Sequence, residues 1–390
     1  MISVEEALAN LFALVRPLDS ERVPLVEAAG RVLAEDAVAR RTQPPFAAAA
    51  MDGYAVHRDW LQLGASFDVI GEAAAGQAFN GPVSKGEAIR IFTGAPVPDG
   101  DFFVVIQEDI DRSGDRITIA RDPGKGDNIR PAGGDFQTGD MLRAPRVISP
   151  ADVALLASMN IPTVTVAKRP DVALISTGNE LVMPGETPGP DQIIASNTFG
   201  LKALLDRHGA LTKILPIARD DSDSLKTAFA LAEGADLVVT IGGASVGDHD
   251  LVAPVSAELG MDRSFYKVKM RPGKPLMAGR LGDMMMVGLP GNPVSAMVCG
   301  EIFLQPLIRA MLGLPAEPRA RKQAVLAEEI AANGPREHYM RARLDDGKLH
   351  VFDNQDSSIL TVLSQANALL VRPVSDPPKQ AGTLMKYIEV

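Results

Sequence analysis

Residues 237–250 read Leu237-Val-Val-Thr-Ile241-Gly242-Gly243-Ala-Ser245-Val-Gly247-Asp248-His249-Asp250, a β-branched run that passes directly into glycines, a hydroxyl and two carboxylates. An apolar run without polar alternation is the pattern of a strand covered on both faces, as in a parallel sheet with crossover helices above and below it. Such sheets bind ligands in the crevice beyond the carboxyl ends of their strands. Gly242, Gly243 and Gly247 would let backbone N–H groups approach an anion closely. Asp248 and Asp250 stand where they would hold a divalent cation bridging to that anion. The plainer alternative is a tight strand-to-helix turn with solvated aspartates.

Around this stretch, strands and helices alternate. Val172–Ser176 and Met284–Gly288 read as further strands. Ser196–His208 closed by Gly209, Leu225–Glu233 closed by Gly234, and Pro293–Leu312 read as helices, so residues 168–318 are expected to form a parallel α/β domain. Upstream, Ser3 and Glu6 make a capping box ahead of Ala7, Leu8, Leu11 and Phe12. After the break at Pro44-Pro45, residues 46–140 are short apolar runs punctuated by glycine, the pattern of an inserted β subdomain. Ser149-Pro150 then starts another helix, which leaves 1–45 and 141–167 as the helical part of an N-terminal region spanning 1–167. Beyond the proline-containing linker Leu314–Pro318, residues 319–390 read as short strands, with turns predicted at Asn333-Gly334 and Asp346-Gly347. The expected class is therefore α/β multidomain, with a mixed α+β region before the central domain and a β domain after it.

A chain of 390 residues, 46% of them hydrophobic, is too long for one ordinary core and rich enough to bury several. The formal charge of −10 argues against nucleic acid or an anionic membrane as partner, so any anionic ligand must be met by local cations. The acidic start Met1-Ile-Ser-Val-Glu5-Glu6 lacks the basic flank of a signal peptide, and no apolar run is expected to approach a membrane span, which points to the cytoplasm. Cys299 is the single cysteine, and the five histidines show no metal-ligand spacing. Hard, oxygen-ligated cations such as Mg²⁺ remain the plausible metals.

Four further segments place a polar group beside glycine or proline in a predicted loop: Met51-Asp52-Gly53-Tyr54-Ala55, Thr93-Gly94-Ala95, Ser176-Thr177-Gly178-Asn179-Glu180, and Leu289-Pro290-Gly291-Asn292-Pro293-Val294-Ser295. Asp52-Gly53 and Thr93-Gly94 are equally explained as turns. Glu180 follows a buried strand at the carboxyl edge of the sheet, where a carboxylate would hold a cation. Asn292-Pro293 fits an N-cap followed by proline at the first helical position, and such a helix start is also an anion site. Lys267, Lys269, Arg271 and Lys274 gather four cations within eight residues, suited to an oxyanion, or else a solvated charged hairpin. Arg341 and Arg343 alternate along a predicted strand and so share a face, with Ser357 and Ser358 following in a turn.

Taken in order and spacing, these motifs with the 242–250 loop and Met270-Arg271-Pro-Gly-Lys274-Pro resemble the molybdenum insertase family, which includes the insertase half of gephyrin. The similarity runs over nearly the whole chain. It implies a central molybdopterin-binding-like domain, a C-terminal β-barrel and a homodimer. The implied reaction is Mg²⁺-dependent conversion of adenylylated molybdopterin and molybdate to the molybdenum cofactor and AMP. By motif position, the functional carboxylates fall on Asp52, Glu180, Asp220 and Asp250, with Asp135 a weaker candidate and Glu180 and Asp250 holding the metal. Thr93, Gly242, Gly243, Ser245, Gly247, Lys267, Pro290, Asn292 and Pro293 would bind the pterin substrate. Arg271, Lys274, Arg341 and Ser357 would bind molybdate, a tetrahedral dianion matched by forked and point-charge donors. Transient contacts with molybdopterin adenylyltransferase and with apo-molybdoenzymes are expected partners.

Two other readings remain. A molybdopterin adenylyltransferase would share the central domain but lack the Asp52 region and the last β domain; a gephyrin-like scaffold would need none of the carboxylates. A nicotinamide enzyme is disfavoured, because Gly242-Gly-Ala-Ser-Val-Gly247 lacks the Gly-x-Gly-x-x-Gly spacing. The chain differs from the family's usual pattern at Ala47–Ala50, where a polar residue is common, and at Asp101-Phe102-Phe103.

Overall fold

The computed structural model describes residues 1–243 and 251–390. It forms two compact units, one of residues 1–21, 30–34 and 166–390, the other of 22–29 and 35–165.

In the larger unit, Leu237–Ile241 is a fully buried strand. It lies between the parallel strands Asp171–Ser176 and Met284–Leu289 of a six-stranded sheet. Beyond Asp171–Ser176, the edge strand Leu211–Ile214 is also parallel, while Met277–Leu281 and Asp262–Tyr266 close the other edge antiparallel. Side-chain alternation explains the unbroken apolar runs. Leu237, Val239 and Ile241 point into one core beneath the helices Val4–Leu14 and Asn197–Arg207, while Val238 joins Ala173, Ile175 and Met286 in a second core under Ser222–Leu231 and Val252–Glu258. The Ser3–Glu6 capping box is present, with Ser3 N–H donating to Glu6 at 2.7 Å.

The helical run from Pro293 is α-helical over Pro293–Cys299, π over Gly300–Leu304 and α again over Gln305–Met311. A Cβ on Gly300 would stand 2.7 Å from Leu201, so glycine permits the close approach to the Asn197–Arg207 helix. Contrary to expectation, these 19 residues are long and apolar enough to cross a bilayer, but 83% of the most apolar window is buried within the protein, the condition of a core helix.

After the linker, Lys322–Leu326, Glu337–Asp345, Lys348–Val351, Ala368–Arg372 and Leu384–Glu389 close into a five-stranded β-barrel around Leu326, Ala342, Leu349 and Leu370. Asp346 and Gly347 both take positive φ (44° and 75°) in the tight turn joining Asp345 to Lys348, as their sequence requires. Asn333-Gly334 is not a hairpin turn. Asn333 Nδ2 instead donates to the carbonyls of Arg336 and Pro373 (2.9 and 2.6 Å), pinning an irregular segment.

The smaller unit is built on a six-stranded sheet of Phe102–Ile106, Gly53–His57, Glu87–Ile91, Ser66–Ala73, Arg116–Ile119 and Ile110–Ser113. Gly53 begins a strand and makes no hairpin turn; a Cβ there would lie 2.0 Å from the Val105 carbonyl oxygen, so close strand approach demands glycine. Ala48–Ala49, within the alanine tract, is a buried strand paired with Ile129–Arg130.

Candidate active site

Three parallel strands end side by side, and the segments that follow them line a cavity of about 700 Å³. After Ser176 the backbone turns at Thr177-Gly178, where Thr177 N–H donates to Ile241 O at 3.0 Å. Gly178 has φ 147°, and a Cβ on it would sit 2.3 Å from Glu180 Oε2. The Glu180 carboxylate therefore folds over Gly178. It is exposed and accepts no hydrogen bond among the described residues. Asp220 is tied to the same turn: its Oδ2 accepts the Asn179 N–H at 3.1 Å and its own N–H donates to Asn179 Oδ1 at 3.2 Å.

From the second strand, Gly242 (φ 95°) approaches so closely that a Cβ would lie 2.8 Å from Thr177 O, and its N–H donates to Leu289 O at 3.1 Å. Gly243 follows at φ 60°. Left-handed backbone favours glycine at both positions, and close packing adds to the requirement, a Cβ on Gly243 standing 2.5 Å from Val252. From the third strand come Pro290, Gly291, Asn292 and Pro293, with Gly291 O held by Asn197 Nδ2 at 2.6 Å. Asn292 occupies the cap position of the following helix, but its side chain does not cap it. Asn292 Nδ2 donates to Ser357 Oγ at 2.9 Å, and the Ser357 carbonyl accepts the Val294 N–H at 3.0 Å. A barrel loop thus satisfies the helix start in place of the asparagine. Ser245, Gly247, Asp248 and Asp250 lie outside the described residues.

The structure thus gathers Glu180, Asp220, Gly242, Gly243, Pro290, Asn292 and Pro293 around one cavity. The basic candidates are placed otherwise. Met270 and Arg271 form a short strand parallel to Glu337–His338, while Lys267 has φ 67° and sets its ammonium 4.8 Å from the Tyr266 ring centroid. The Arg271 and Lys274 side chains are exposed, without a hydrogen bond or ion pair among the described residues. Arg341 is 1% exposed: Gln355 Oε1 accepts its backbone N–H (2.9 Å) and Nε (3.4 Å), and Ile359 O accepts from Nη1 at 3.2 Å. Arg343, two residues on, is exposed, so equal parity does not give the two arginines equal surroundings. Burial first, then Arg271, Arg372, Arg336 and Arg341, push the His338 imidazole down to about 4. The field in this seam is accordingly strongly positive. Ser357 bonds to Asn292, and no hydrogen bond joins it to Arg271, Lys274 or Arg341 among the described residues.

In the smaller unit, Asp52 Oδ1 accepts both the backbone N–H and the hydroxyl of Thr93 at 2.7 Å. These bonds, with Arg90 nearby, hold the Asp52 carboxyl below its ordinary range. Thr93-Gly94 is also a true turn, with Gly94 at φ 82° and Ala95 N–H donating to Phe92 O at 2.9 Å. Arg90 packs over the Tyr54 and Phe92 rings (4.9 and 4.6 Å) and donates to Gly53 O at 3.2 Å. Asp135 is exposed and engages Gln43 O through its backbone N–H at 3.0 Å.

Three residues that support the site lie outside the sequence motifs: Asn197, which fixes Gly291; Arg219, whose Nη1 donates to carbonyls of the Glu180 turn; and Gln355, which clasps Arg341. Asn197 follows Ser196 at a predicted helix start, a detectable signal. The other two act through contacts distant in sequence and carry none.

Three family models match the chain: MoeA N-terminal region (domain I and II) over residues 2–160, probable molybdopterin binding domain over 173–310, and MoeA C-terminal region (domain IV) over 323–390. A Nostoc sp. protein named molybdopterin molybdenumtransferase is 35% identical, aligned over 96% of this chain and 91% of its own length. A Mycobacterium tuberculosis protein named molybdopterin molybdenumtransferase 2 is 35% identical over 99% of both chains. A crystal structure of a Pyrococcus horikoshii molybdopterin biosynthesis MoeA protein superposes with TM-score 0.87 at 27% identity, covering 100% of each chain. The strand-end cavity and the succession of matched regions lead to one conclusion: the chain belongs to the MoeA, or molybdopterin molybdenumtransferase, family.

Proposed function

We propose that this transferase inserts molybdenum from molybdate into adenylylated molybdopterin at the strand-end cavity, releasing AMP. The observation that supports this most is the convergence of Glu180, Asp220, the Gly242-Gly243 turn and Pro290–Pro293 on one cavity of about 700 Å³, large enough for a nucleotide-sized ligand. Cleaving a phosphoanhydride requires both phosphates to be oriented and their charge offset. Gly243, at φ 60° and without a side chain, lets a phosphate approach the backbone closely, and Asn292 is held in place by Ser357.

Mg²⁺ is part of the proposal. Among the described residues, Glu180 has both carboxylate oxygens free of protein donors, and Asp220 keeps one oxygen beyond its bond to Asn179, a hard-donor set of the sort Mg²⁺ shares with water and substrate phosphates. Asp250 is proposed as the second carboxylate holding the metal alongside Glu180. When bound, Mg²⁺ would neutralise phosphate charge and polarise the bridging bond. Arg271, Lys274, Arg341 and Ser357 are assigned to molybdate and Lys267 to the pterin substrate. Arg341 acts from a fixed, buried position and the exposed Arg271 and Lys274 act as the adjustable contacts.

The working form is proposed to be a cytoplasmic homodimer in which Asp52 and Thr93 of one copy complete the other's site, served by transient contact with molybdopterin adenylyltransferase and apo-molybdoenzymes. Mixing inactive Asp52→Asn and Glu180→Gln chains then restores part of the activity in heterodimers; no rescue, with heterodimers demonstrated, would remove the shared site. The reaction itself is tested by supplying adenylylated molybdopterin and measuring AMP. Release that depends on molybdate and Mg²⁺ is expected, and release indifferent to both would refute the assignment.

A further inference from the structure

We propose that Arg219 is the positioning residue for Glu180, acting as a fixed cation that holds the Thr177–Leu181 turn in the shape that aims the carboxylate into the cavity. The proposal rests on the reading of Glu180 as a Mg²⁺ ligand. The carbonyl oxygens of Gly178, Asn179 and Leu181 converge on a single nitrogen, Arg219 Nη1, at 3.5, 3.2 and 3.1 Å. Three carbonyl dipoles aimed at one point repel one another unless a positive charge stands there. Nη1 carries two hydrogens for three acceptors, so charge matters here beyond linear hydrogen bonding.

Arg219 is itself anchored. Its backbone N–H donates to Ser224 Oγ at 2.8 Å, and Ser224 N–H donates to Asp221 Oδ1 at 2.7 Å at the start of the Ser222–Leu231 helix. The Asn179–Asp220 pair closes the same clamp from the other side. Arg219 is absent from the cavity lining and so acts on Glu180 through the turn. Because the carboxylate lies directly over Gly178, a shift of the turn moves it bodily. Loss of the cation leaves Gly178 O and Asn179 O without another donor among the described residues, and the turn is expected to open.

Arg219→Met keeps the aliphatic stem and removes the charge; Arg219→Lys keeps a charge on a shorter stem. Mg²⁺ is titrated calorimetrically into each variant in the presence of AMP, beside amide hydrogen exchange over residues 178–181. Arg219→Met is expected to weaken Mg²⁺ binding roughly tenfold and to speed exchange in the turn without changing the melting temperature appreciably, with Arg219→Lys recovering part of both. Wild-type Mg²⁺ affinity in Arg219→Met, while Glu180→Gln binds weakly, would overturn the role of Arg219 and leave Glu180 as ligand. Wild-type affinity in Glu180→Gln as well would overturn both. Should Arg219→Met fail to fold, Arg219→Gln, which retains donors without charge, decides by the same two outcomes.

Discussion

The strand-end cavity and the arginine-rich seam beside the barrel both present charged groups, but those groups differ in what they are free to do. At the cavity, among the described residues, the Glu180 carboxylate has no protein donor and that of Asp220 only one, while Gly178 clears the space beneath Glu180. In the seam, Arg341 is buried and bonded to Gln355 and Ile359, whereas Arg271 and Lys274 are exposed and unpaired among those same residues. A charge that the fold has already partnered stabilises the fold, and one left unpaired is available to a ligand. The seam contains both kinds; the cavity's carboxylates are mainly of the second.

Among the residues that support the carboxylates, the largest effect expected from this contrast is at Gly178. Gly178→Ala forces a Cβ against the end of a flexible side chain at a left-handed φ of 147°, displacing Glu180 with about 1 kcal/mol of backbone strain. AMP release should fall about a hundredfold, equivalent to roughly 3 kcal/mol in the barrier, with a far smaller stability loss. Equal losses in both would make the glycine a purely structural requirement.

The seam should separate in the opposite sense. Arg271→Ala is expected to raise the molybdate concentration for half-maximal cofactor formation about ten- to hundredfold while the melting temperature and binding of adenylylated molybdopterin stay near wild type. Sulfate should compete with molybdate at this site. Arg341→Ala should impair molybdate use as well but also unfold more readily, by about 2 kcal/mol, because Gln355 Oε1 and the Ile359 carbonyl lose a buried donor. Urea titration of both variants checks the division, and an Arg341→Ala protein as stable as Arg271→Ala would erase it.

The cavity is the more legible of the two regions in the sequence, and the reason is local. A buried parallel strand followed by glycine sets its own geometry, so Thr177–Glu180, Gly242-Gly243 and Pro290–Pro293 can be placed at one sheet edge from sequence alone, and the Asp346-Gly347 turn likewise. What stays hidden depends on partners remote in the chain: Asn292 bonds to Ser357, 65 residues on, and Arg341 is clasped by Gln355. Asp52-Gly53 resembles a hairpin turn, yet its glycine answers to the Val105 carbonyl across the sheet. No periodicity encodes such contacts.

A smaller effect tests the field in the seam. His338 is depressed to about 4 from 6.5 by burial and its four arginine neighbours, so the unfolded chain takes up a proton that the folded one refuses as pH falls below 6.5. Its contribution is complete above that pH and is lost on the way down to about 4, on the order of 3 kcal/mol. His338→Gln should flatten that part of the stability profile, measured by urea unfolding at a series of pH values. An unchanged slope would place the arginines' influence elsewhere.

The central claim is that the strand-end cavity is where AMP is released and that the charge of Glu180 is needed there. It is met most directly by measuring AMP release from adenylylated molybdopterin, at saturating molybdate and Mg²⁺, in Glu180→Gln protein shown by its circular dichroism and melting temperature to be folded. The amide preserves shape and removes charge, so release should fall at least a hundredfold, about 3 kcal/mol; turnover at the wild-type rate would contradict the account.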